Sequence, residues 1–333
     1  PIKHLMERKD PSLSSDMLRI DNIEELSGRL MERLRNDVFH KLNRRGGVIG
    51  ISGGIDSSVT LALAVQALGR ENVTGIMLPE RDSSPDSLGL ARKLAERFGV
   101  RTIVEDITAA LEGFGCYRRR DEAIARVMPH FDPQRDKAKI VLNQNIEKNI
   151  PAIFSVVTID PQGRKQSKLL PAKEYLQIVA ATNFKQRTRM SMLYYHAERL
   201  HYAVIGTPNK HEVEQGFFVK YGDGGADIMP IGGLYKSQVY QLAEYLGVPE
   251  EIIARTPTTD TYTAEQTQEE FFYQLPFEIM DRIWHAWENG MPAEELAPET
   301  GKTPEEIRSI YTSFERKRKT TDYLRTPPIF YQI

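Results

Sequence analysis

Residues 47–69 predict a buried strand, a glycine-rich loop and a helix in immediate succession. The apolar run at 47–51 indicates the strand, and the apolar stretch that ends at Gly69 indicates the helix. Between them, the letters SGGIDSS (52–58) supply two glycines, three hydroxyls and one carboxylate. Because free N–H groups and the helix dipole favour anions at a helix start, this segment predicts a phosphate-binding loop.

The loop is not a Walker A motif, because the Gly-Lys-[Ser/Thr] ending is absent. In place of that lysine it carries Asp56, whose carboxylate suits a magnesium ion that bridges phosphates. The alternative is an ordinary surface turn rich in serine and glycine. The strand before the loop and the helix after it count against that alternative.

Composition limits the class of protein. The chain has 333 residues, which is enough for one large domain or two ordinary ones, and a formal net charge of −2. This charge does not favour a nucleic-acid partner. The single cysteine, Cys116, excludes an intrachain disulfide and a cysteine-based metal cluster. No signal peptide and no membrane-spanning run is recognised, so we expect a soluble cytoplasmic protein without a membrane partner.

Strands and helices alternate along much of the chain. Strands are predicted at 47–51, 73–78, 100–104 and 202–205, and helices at 21–42, 59–69 and 86–98. This rhythm predicts an α/β fold with a doubly wound, mostly parallel sheet. In such sheets ligands bind at the carboxyl ends of the strands, where the glycine-rich loop falls.

The segment 113–181 is the least regular. A helix is predicted at 136–149, followed by a hairpin at 154–170 whose turn contains Asp160 and Gly163. The arginines at 118–120 are interpreted as a solvated surface. Beyond residue 235 the chain is predicted to be mainly helical, with breaks near Pro257, Pro276, Pro292 and Pro304.

A second cluster of polar residues runs from 183 to 236. A helix carries KQRTR (185–189), and a loop at 216–227 combines aromatic, basic and acidic residues with four glycines. The helix could present an ordinary charged face over a core stripe, and the loop could be held by local turns alone. Their combination favours a shaped binding loop.

Together these motifs resemble the ammonia-dependent NAD synthetases, which belong to the N-type ATP pyrophosphatases. The resemblance covers about 21–112 and 182–262, with a weaker match near the C-terminal end. It implies an adenine nucleotide α-hydrolase-like fold and a homodimer. The implied reaction converts deamido-NAD, ammonia and ATP to NAD, AMP and pyrophosphate. It passes through an acyl-adenylate intermediate.

The resemblance also implies roles for individual residues. Asp56 and Glu212 would bind Mg²⁺, and Asp56, Lys236 and Thr258 would take part in catalysis. The implied ATP-binding residues are Gly50, Ile51, Ser52, Gly53, Gly54, Ile55, Asp56, Ser57, Thr207, Lys236 and Thr258. The implied deamido-NAD-binding residues are Arg187, Lys220, Asp223, Asp227 and Lys317, of which Lys317 lies in a segment that reaches the dinucleotide across the dimer in the family.

Three departures from the family pattern leave the substrate open. The segment 257–261 is PTTDT instead of the usual Pro-[Ser/Thr]-Ala-[Asp/Glu]-Leu, and two parts of the chain are unusually long. We therefore expect one synthetase-like domain over 1–333, with an insertion at 113–181 and a helical extension at 262–333. A ligase of the same fold that acts on another carboxylate is the alternative function. A regulatory protein without catalysis is disfavoured by the intact ATP residues.

The source of nitrogen is also predicted from what the chain contains. No glutaminase domain precedes the synthetase-like region, and Cys116 does not lie in a nucleophile context. We therefore expect free ammonia, or ammonia from a separate glutaminase subunit, as the donor.

Overall fold

The computed structural model describes residues 17–146, 150–258, 262–264, 266–268 and 273–331. Its strands are β1 (Gly47–Gly50), β2 (Val73–Met77), β3 (Arg101–Val104), β4 (Lys137–Asn145), β5 (Ile150–Ile159), β6 (Lys165–Leu169) and β7 (Ala203–Val204). Its α-helices are α1 (Ile23–Asn36), α2 (Ile55–Leu68), α3 (Pro85–Phe98), α4 (Thr108–Gly113), α5 (Cys116–Val127), α6 (Ala172–Leu200), α7 (Lys210–Gln215), α8 (Lys236–Leu246), α9 (Glu250–Ile253), α10 (Phe277–Glu288), α11 (Ala293–Thr300) and α12 (Pro304–Arg325).

A four-stranded parallel sheet in the order β3-β2-β1-β7 forms the centre of the protein. Gly47 of β1 aligns with Val73 of β2 on one side and with Ala203 of β7 on the other. The chain moves outward from β1 to β3 and then returns to the opposite side of β1. The loop after β1 therefore lies where the direction of winding reverses, which is the ligand-binding position of open α/β sheets.

Helices cover both faces of this sheet. On one face, Ile49, Val73 and Met77 belong to a core cluster shared with α1, α2, α3 and α8. On the other face, Val48 and Val204 pack in a second cluster with the apolar side of α6. Neighbouring residues of one strand point to opposite faces, so β1, β2 and β7 bury both, whereas the edge strand β3 is largely exposed. The predicted doubly wound α/β architecture is confirmed.

The local signals for the first elements are also confirmed. The helix α3 begins at Pro85. Proline is tolerated there because an N–H group in the first turn would have no acceptor within the helix. The helix ends at Gly99, which has a left-handed backbone conformation. The predicted helix near the start is α1, which continues into a π-helical turn at Asp37–Lys41. Short 3-10 turns lie at Arg70–Asn72 and Asp223–Gly225.

The predicted helix at 136–149 is wrong. Residues Lys137–Asn145 form β4, which pairs antiparallel with β5, and 147–149 lie outside the described residues. Ala138, Ile140 and Leu142 are buried at every second position, and this period of two is the pattern of a strand. The predicted hairpin is confirmed, because β5 pairs antiparallel with β6 across a turn closed by Gly163 N–H and Asp160 O at 2.9 Å.

The C-terminal helices α10, α11 and α12 share a core of their own, which includes Trp284 and Phe314. From this core, α12 extends back to pack against α7. In the part of the chain that the structure describes, no helix has the length and apolar character needed to cross a membrane.

Candidate active site

A cavity of about 780 Å³ opens at the carboxyl ends of the central strands. Its lining includes the loop after β1, residues 76–79 after β2 and residues 204–207 after β7. The helices α6 and α12 and the segment 113–181 complete the wall. This volume lies in the range of small-molecule sites in proteins.

The loop after β1 is built to expose backbone N–H groups. Gly53 has φ +77°, and a Cβ there would lie 2.7 Å from Ser87 O, so only glycine fits. The Ser57 and Ser58 hydroxyls donate to Gly54 O at 3.0 and 2.8 Å, which closes the turn. Gly54 has no side chain to cap the first turn of α2, and the N–H groups of that turn are available to an anion.

A carboxylate pair and one lysine lie beside this loop. Asp56 Oδ2 is 2.5 Å from Lys236 Nζ, and Asp56 Oδ1 accepts a hydrogen bond from Asn209 Nδ2 at 3.1 Å. Asn209 is also the N-cap of α7, where its side chain accepts from Glu212 N while Glu212 Oε2 accepts from Asn209 N. This capping box fixes Glu212 next to Asp56.

The site disfavours a negative charge on Glu212 unless a further cation binds. Burial and the neighbouring Asp56 raise the pKa of Glu212 to about 8. Lys236 is buried, which lowers its pKa, but Asp56 and Glu212 outweigh burial and raise it above its ordinary value. Without a bound cation, Glu212 therefore keeps its proton at neutral pH beside the Asp56–Lys236 ion pair, and a bound cation would favour the ionised form of Glu212.

These residues fit a magnesium ion that also binds phosphate oxygens. Mg²⁺ is usually held by one or two carboxylates together with phosphates and water. Asp56 and Glu212 supply two such carboxylates. Within the described ranges, no group of three or more His, Cys, Asp or Glu side chains could hold a metal ion by itself. The remaining ligands of an ion at Asp56 and Glu212 would therefore come from substrate and solvent.

Most of the ATP-binding residues predicted from the sequence meet at this cavity. Nine of them line it: Gly50, Ile51, Ser52, Gly54, Ile55, Asp56, Ser57, Thr207 and Thr258. Gly53 and Lys236 do not line it. Gly53 shapes the turn, and the buried Lys236 acts on the cavity through its ion pair with Asp56.

Two of the predicted dinucleotide-binding residues line the same cavity. Asp223 accepts a hydrogen bond from Val219 N at 2.8 Å, and burial raises its pKa to about 6. Lys317 reaches the wall from α12, and burial lowers its pKa to about 8. The resemblance implies that the segment of Lys317 reaches the dinucleotide across a dimer, and that role stays a prediction; within one chain Lys317 lines this cavity.

The other three predicted residues lie outside this cavity. The exposed Arg187 donates from Nε to Lys220 O at 3.2 Å and lines a shallow surface pocket. Lys220 Nζ donates to Tyr323 O and Thr326 O at 2.9 and 2.7 Å, so it is held by the end of α12. Their roles toward a dinucleotide stay predictions.

Asp227 is the third of these residues. Its carboxylate accepts from Tyr194 OH at 2.9 Å and from Val204 N at 2.8 Å. The second bond ties the loop at 216–227 to β7, which is a structural contact at the rim of the sheet. Asp227 is nevertheless exposed, so a role toward a ligand outside the cavity stays a prediction.

A buried ionic network on the cavity wall was not predicted from the sequence. Lys185 Nζ lies 2.9 Å from Glu80 Oε1 and 2.8 Å from Asp82 Oδ2, and Tyr117 OH donates to Glu80 Oε2 at 2.7 Å. Arg120 Nη1 completes the network, 2.5 Å from Asp82 Oδ2. Burial acts to raise the pKa of Asp82, but Lys185 and Arg120 outweigh it and lower that pKa.

This network corrects one interpretation of the sequence. Arg118 and Arg119 are exposed as predicted, but Arg120 is buried and was wrongly assigned to the surface. A signal was present, because Glu80 and Asp82 directly follow β2 at the ligand-binding edge of the sheet. Lys185 lines the cavity and opens the KQRTR motif.

Comparisons with known proteins agree with this geometry. The family described as NAD synthase matches residues 27–119 and 118–328. The NH(3)-dependent NAD(+) synthetase of Rhizobium rhizogenes is 49% identical over 321 residues, which cover 96% of each chain.

Solved structures resemble the chain as well. NMN synthetase from Francisella tularensis superposes with a TM-score of 0.63 at 23% identity and covers 94% of this chain and 99% of that one. NH3-dependent NAD synthetase from Campylobacter jejuni gives 0.61 at 21% identity, with 93% and 100% covered. With the parallel sheet, these likenesses confirm the predicted adenine nucleotide α-hydrolase-like fold.

Proposed function

This chain belongs to the NAD synthase family, and we propose that it is the carbon–nitrogen ligase that amidates deamido-NAD with ammonia. The reaction consumes ATP and releases NAD, AMP and pyrophosphate. The observation that carries the proposal is a single cavity that contains the anion-binding loop after β1, with Asp56 and Glu212 on its wall. The 49% identity to a relative of that printed activity supports the same substrates.

The chemistry follows from the weak electrophilicity of a carboxylate. Attack of the deamido-NAD carboxylate on the α-phosphate of ATP breaks the bond to the β-phosphate and gives an acyl-adenylate. Ammonia then attacks the activated carbonyl and AMP leaves. No side chain needs to form a covalent intermediate, so the protein contributes positioning and electrostatic stabilisation.

The chain's residues divide this work. The N–H groups at the start of α2 bind the phosphates that depart as pyrophosphate. Lys236 holds Asp56 in place through their 2.5 Å contact. Asp56 and Glu212 would hold Mg²⁺, which when bound supplies positive charge to the phosphates. Thr207 and Thr258 are the proposed further contacts to ATP on the cavity wall.

The dinucleotide-binding residues lead to a proposal about assembly. Asp223 and Lys317 are available from within the cavity, while Arg187 and Asp227 are exposed outside it. A homodimer would allow the exposed residues, with Lys220, to contact the dinucleotide of a neighbouring copy. This assembly, like a cytoplasmic location, is supported by the family resemblance.

Two further assignments are proposed on the same basis. The chain forms one ATP pyrophosphatase-type domain over 1–333, with an insertion at about 113–181 and a helical extension at about 262–333. Ammonia reaches the site either free or from a separate glutaminase subunit.

A substrate panel tests the proposed reaction. The protein is incubated with ATP, Mg²⁺ and ammonium, and NAD and pyrophosphate are measured with deamido-NAD or with other carboxylates, including its nicotinate mononucleotide half. We expect equal amounts of NAD and pyrophosphate with deamido-NAD and little pyrophosphate without it. Pyrophosphate release with another carboxylate, and none with deamido-NAD, would identify a ligase of the same fold with a different substrate.

A further inference from the structure

A buried carboxylate on α10 lies behind the proposed magnesium site. Asp281 and His211 are both fully buried, and His211 Nε2 is 2.6 Å from Asp281 Oδ1. The other oxygen, Asp281 Oδ2, accepts a hydrogen bond from Ser237 N at 2.7 Å. One carboxylate therefore connects three helices, since His211 belongs to α7 and Ser237 to α8.

The two partners of Asp281 are sequence neighbours of the site residues. His211 directly precedes Glu212 in the first turn of α7, and Ser237 directly follows Lys236 in the first turn of α8. The N–H groups of a first turn have no acceptor within their own helix. Asp281 supplies that acceptor to α8 from outside, which fixes the start of α8 against α10.

His211 is held firmly enough to transmit this constraint. Gln215 Nε2 lies 3.2 Å from His211 Nδ1, so Nδ1 accepts from Gln215 while the protonated Nε2 donates to Asp281. The rings of Tyr235, Tyr273 and Trp284 surround the imidazole at centroid distances of 5.7, 6.0 and 5.6 Å. The imidazole is thus enclosed and cannot rotate without breaking these contacts.

We propose that Asp281 is a positioning residue for the ATP–magnesium site, because it sets the starts of α7 and α8 and thereby places Glu212 and Lys236 around Asp56. The proposal rests on the proposed function, which assigns that site to Mg²⁺ and ATP. Asp56 reaches both helices directly, through Lys236 on α8 and Asn209 on α7. A small displacement of one helix against the other would separate these ligands, and catalytic groups tolerate little displacement.

The test uses Asp281→Asn, which keeps the shape of the side chain but can accept only one of the two hydrogen bonds through its single carbonyl oxygen. The matched control is Ile283→Ala, which removes a fully buried side chain from the same helix and the same core. Ile283→Ala shows how much destabilisation of α10 by itself changes the affinity for Mn²⁺. Melting temperatures of both variants establish that their losses of stability are comparable.

The primary measurement is the affinity for Mn²⁺ in the presence of α,β-methylene-ATP. Electron paramagnetic resonance detects the binding. We expect Asp281→Asn to weaken Mn²⁺ binding about tenfold or more, as loss of an outer partner of metal ligands does. Ile283→Ala should change it less than about twofold. In turnover, the Mg²⁺ concentration for half-maximal rate should rise in Asp281→Asn, while the KM for deamido-NAD stays within about twofold.

The outcomes separate this proposal from the proposed function. Equal effects of Asp281→Asn and Ile283→Ala on Mn²⁺ affinity would reduce Asp281 to a core residue and overturn the proposal. Failure of the wild type to bind Mn²⁺ with the ATP analogue would overturn it as well. If the wild type binds both but makes no NAD, the Asp281 effect can still be measured, and only the proposed function fails.

Discussion

The two sides of the cavity are built by different means. The phosphate side consists of residues 50–57 and Glu212, with Lys236 paired to Asp56 behind the wall, and these residues come from short motifs at the starts of helices. The insertion side is lined by residues of β4, β5 and α6 that are mostly apolar or aromatic: Leu142, Phe154, Tyr175, Val179, Thr182 and Lys185. Phe154 and Tyr175 stack on each other with ring centroids 4.1 Å apart.

This difference determines how each side obtains its geometry. On the phosphate side, the positive φ of Gly53 and the capping box of Asn209 fix the residues through rules that act over a few positions. On the insertion side, a hairpin must pair and α5 must pack on α6 before the wall exists. The phosphate side can therefore be recognised from sequence, whereas the insertion side is defined by tertiary packing.

The largest effect is expected from Asp56→Asn on the phosphate side. Removal of this carboxylate takes away a proposed magnesium ligand and the partner of the buried Lys236. We expect kcat/KM for ATP to fall about 10²–10³-fold in a pyrophosphate-release assay, comparable to loss of a preorganised electrostatic group. The melting temperature should fall too, because the Lys236 ammonium group loses its closest carboxylate.

The control for this variant is Asp86→Asn. Asp86 occupies the second position of α3, as Asp56 does in α2, but it is exposed. Its removal should leave kcat/KM within about twofold of the wild type, since the helix-dipole contribution alone is small. Wild-type activity in Asp56→Asn would contradict the role of the phosphate side.

The next largest effect is expected on the free energy of unfolding, from a variant on the insertion side. Lys185→Met removes the ammonium group that lies between Glu80 and Asp82 and leaves two buried carboxylates with fewer partners. We expect the free energy of unfolding to fall by about 3–5 kcal/mol in urea denaturation at pH 7, which is typical of breaking a buried ion pair.

An exposed ion pair provides the comparison. Lys93 contacts Glu251 at 3.0 Å, with side chains 57% and 60% exposed. Lys93→Met should lower the free energy of unfolding by less than about 1 kcal/mol. Equal losses in the two variants would mean that the Lys185 network does not brace the insertion side.

Particular residues show which parts of the structure could be predicted from the sequence and why others could not. The strand, loop and helix at 47–69 were predicted because local propensity and tertiary structure agree there. The helix predicted at 136–149 was wrong, since the alternation of Ala138, Ile140 and Leu142 was overlooked. Burial of Arg120 could not be predicted, because its partner Asp82 lies 38 residues away and meets it only after folding.

The predicted dinucleotide-binding residues show the same limit of prediction from sequence. Asp223 and Lys317 meet at one cavity although α12 and the 216–227 loop are far apart in sequence. Arg187 and Lys220 carry the same kind of signal in the sequence, but they lie outside this cavity. A residue pattern gives the chemistry of a side chain, and only the packed structure gives the site to which it belongs.

A moderate effect is expected from Lys317→Met. Loss of its charge should raise the KM for deamido-NAD about tenfold, which is the scale of one charged hydrogen bond. The KM for ATP should stay within about twofold, because the phosphate side is unchanged. Lys319→Met, on the exposed side of the same helix, should leave both values unchanged. A raised KM for ATP alone would move Lys317 to the phosphate side.

Mixed dimers test the proposed homodimer and, within it, which chain each residue serves. An excess of Asp56→Asn subunits is combined with Lys317→Met or with Arg187→Met, and the KM for deamido-NAD is measured. Because Lys317 lines the cavity of its own chain, the raised KM should persist in its mixed dimers. The exposed Arg187 should be replaced by that of the partner, which restores the wild-type KM. The opposite pattern would reverse the two assignments.

The smallest effect is a pH dependence of stability at Asp223. Burial raises the pKa of this carboxyl from 3.8 to about 6, so the folded protein keeps a proton that the unfolded chain releases. Stability from this group is present at low pH and is lost as the pH rises through about 6. In urea denaturation series, the free energy of unfolding of Asp223→Asn should therefore rise relative to that of the wild type between about pH 4 and pH 7. Asp106→Asn should instead lose stability relative to the wild type as the pH rises toward about 4, with no further change above it, because hydrogen bonds from Thr108 lower the pKa of Asp106 below 3.8. Slopes of the same sign in the two variants would show that burial does not raise the pKa of Asp223.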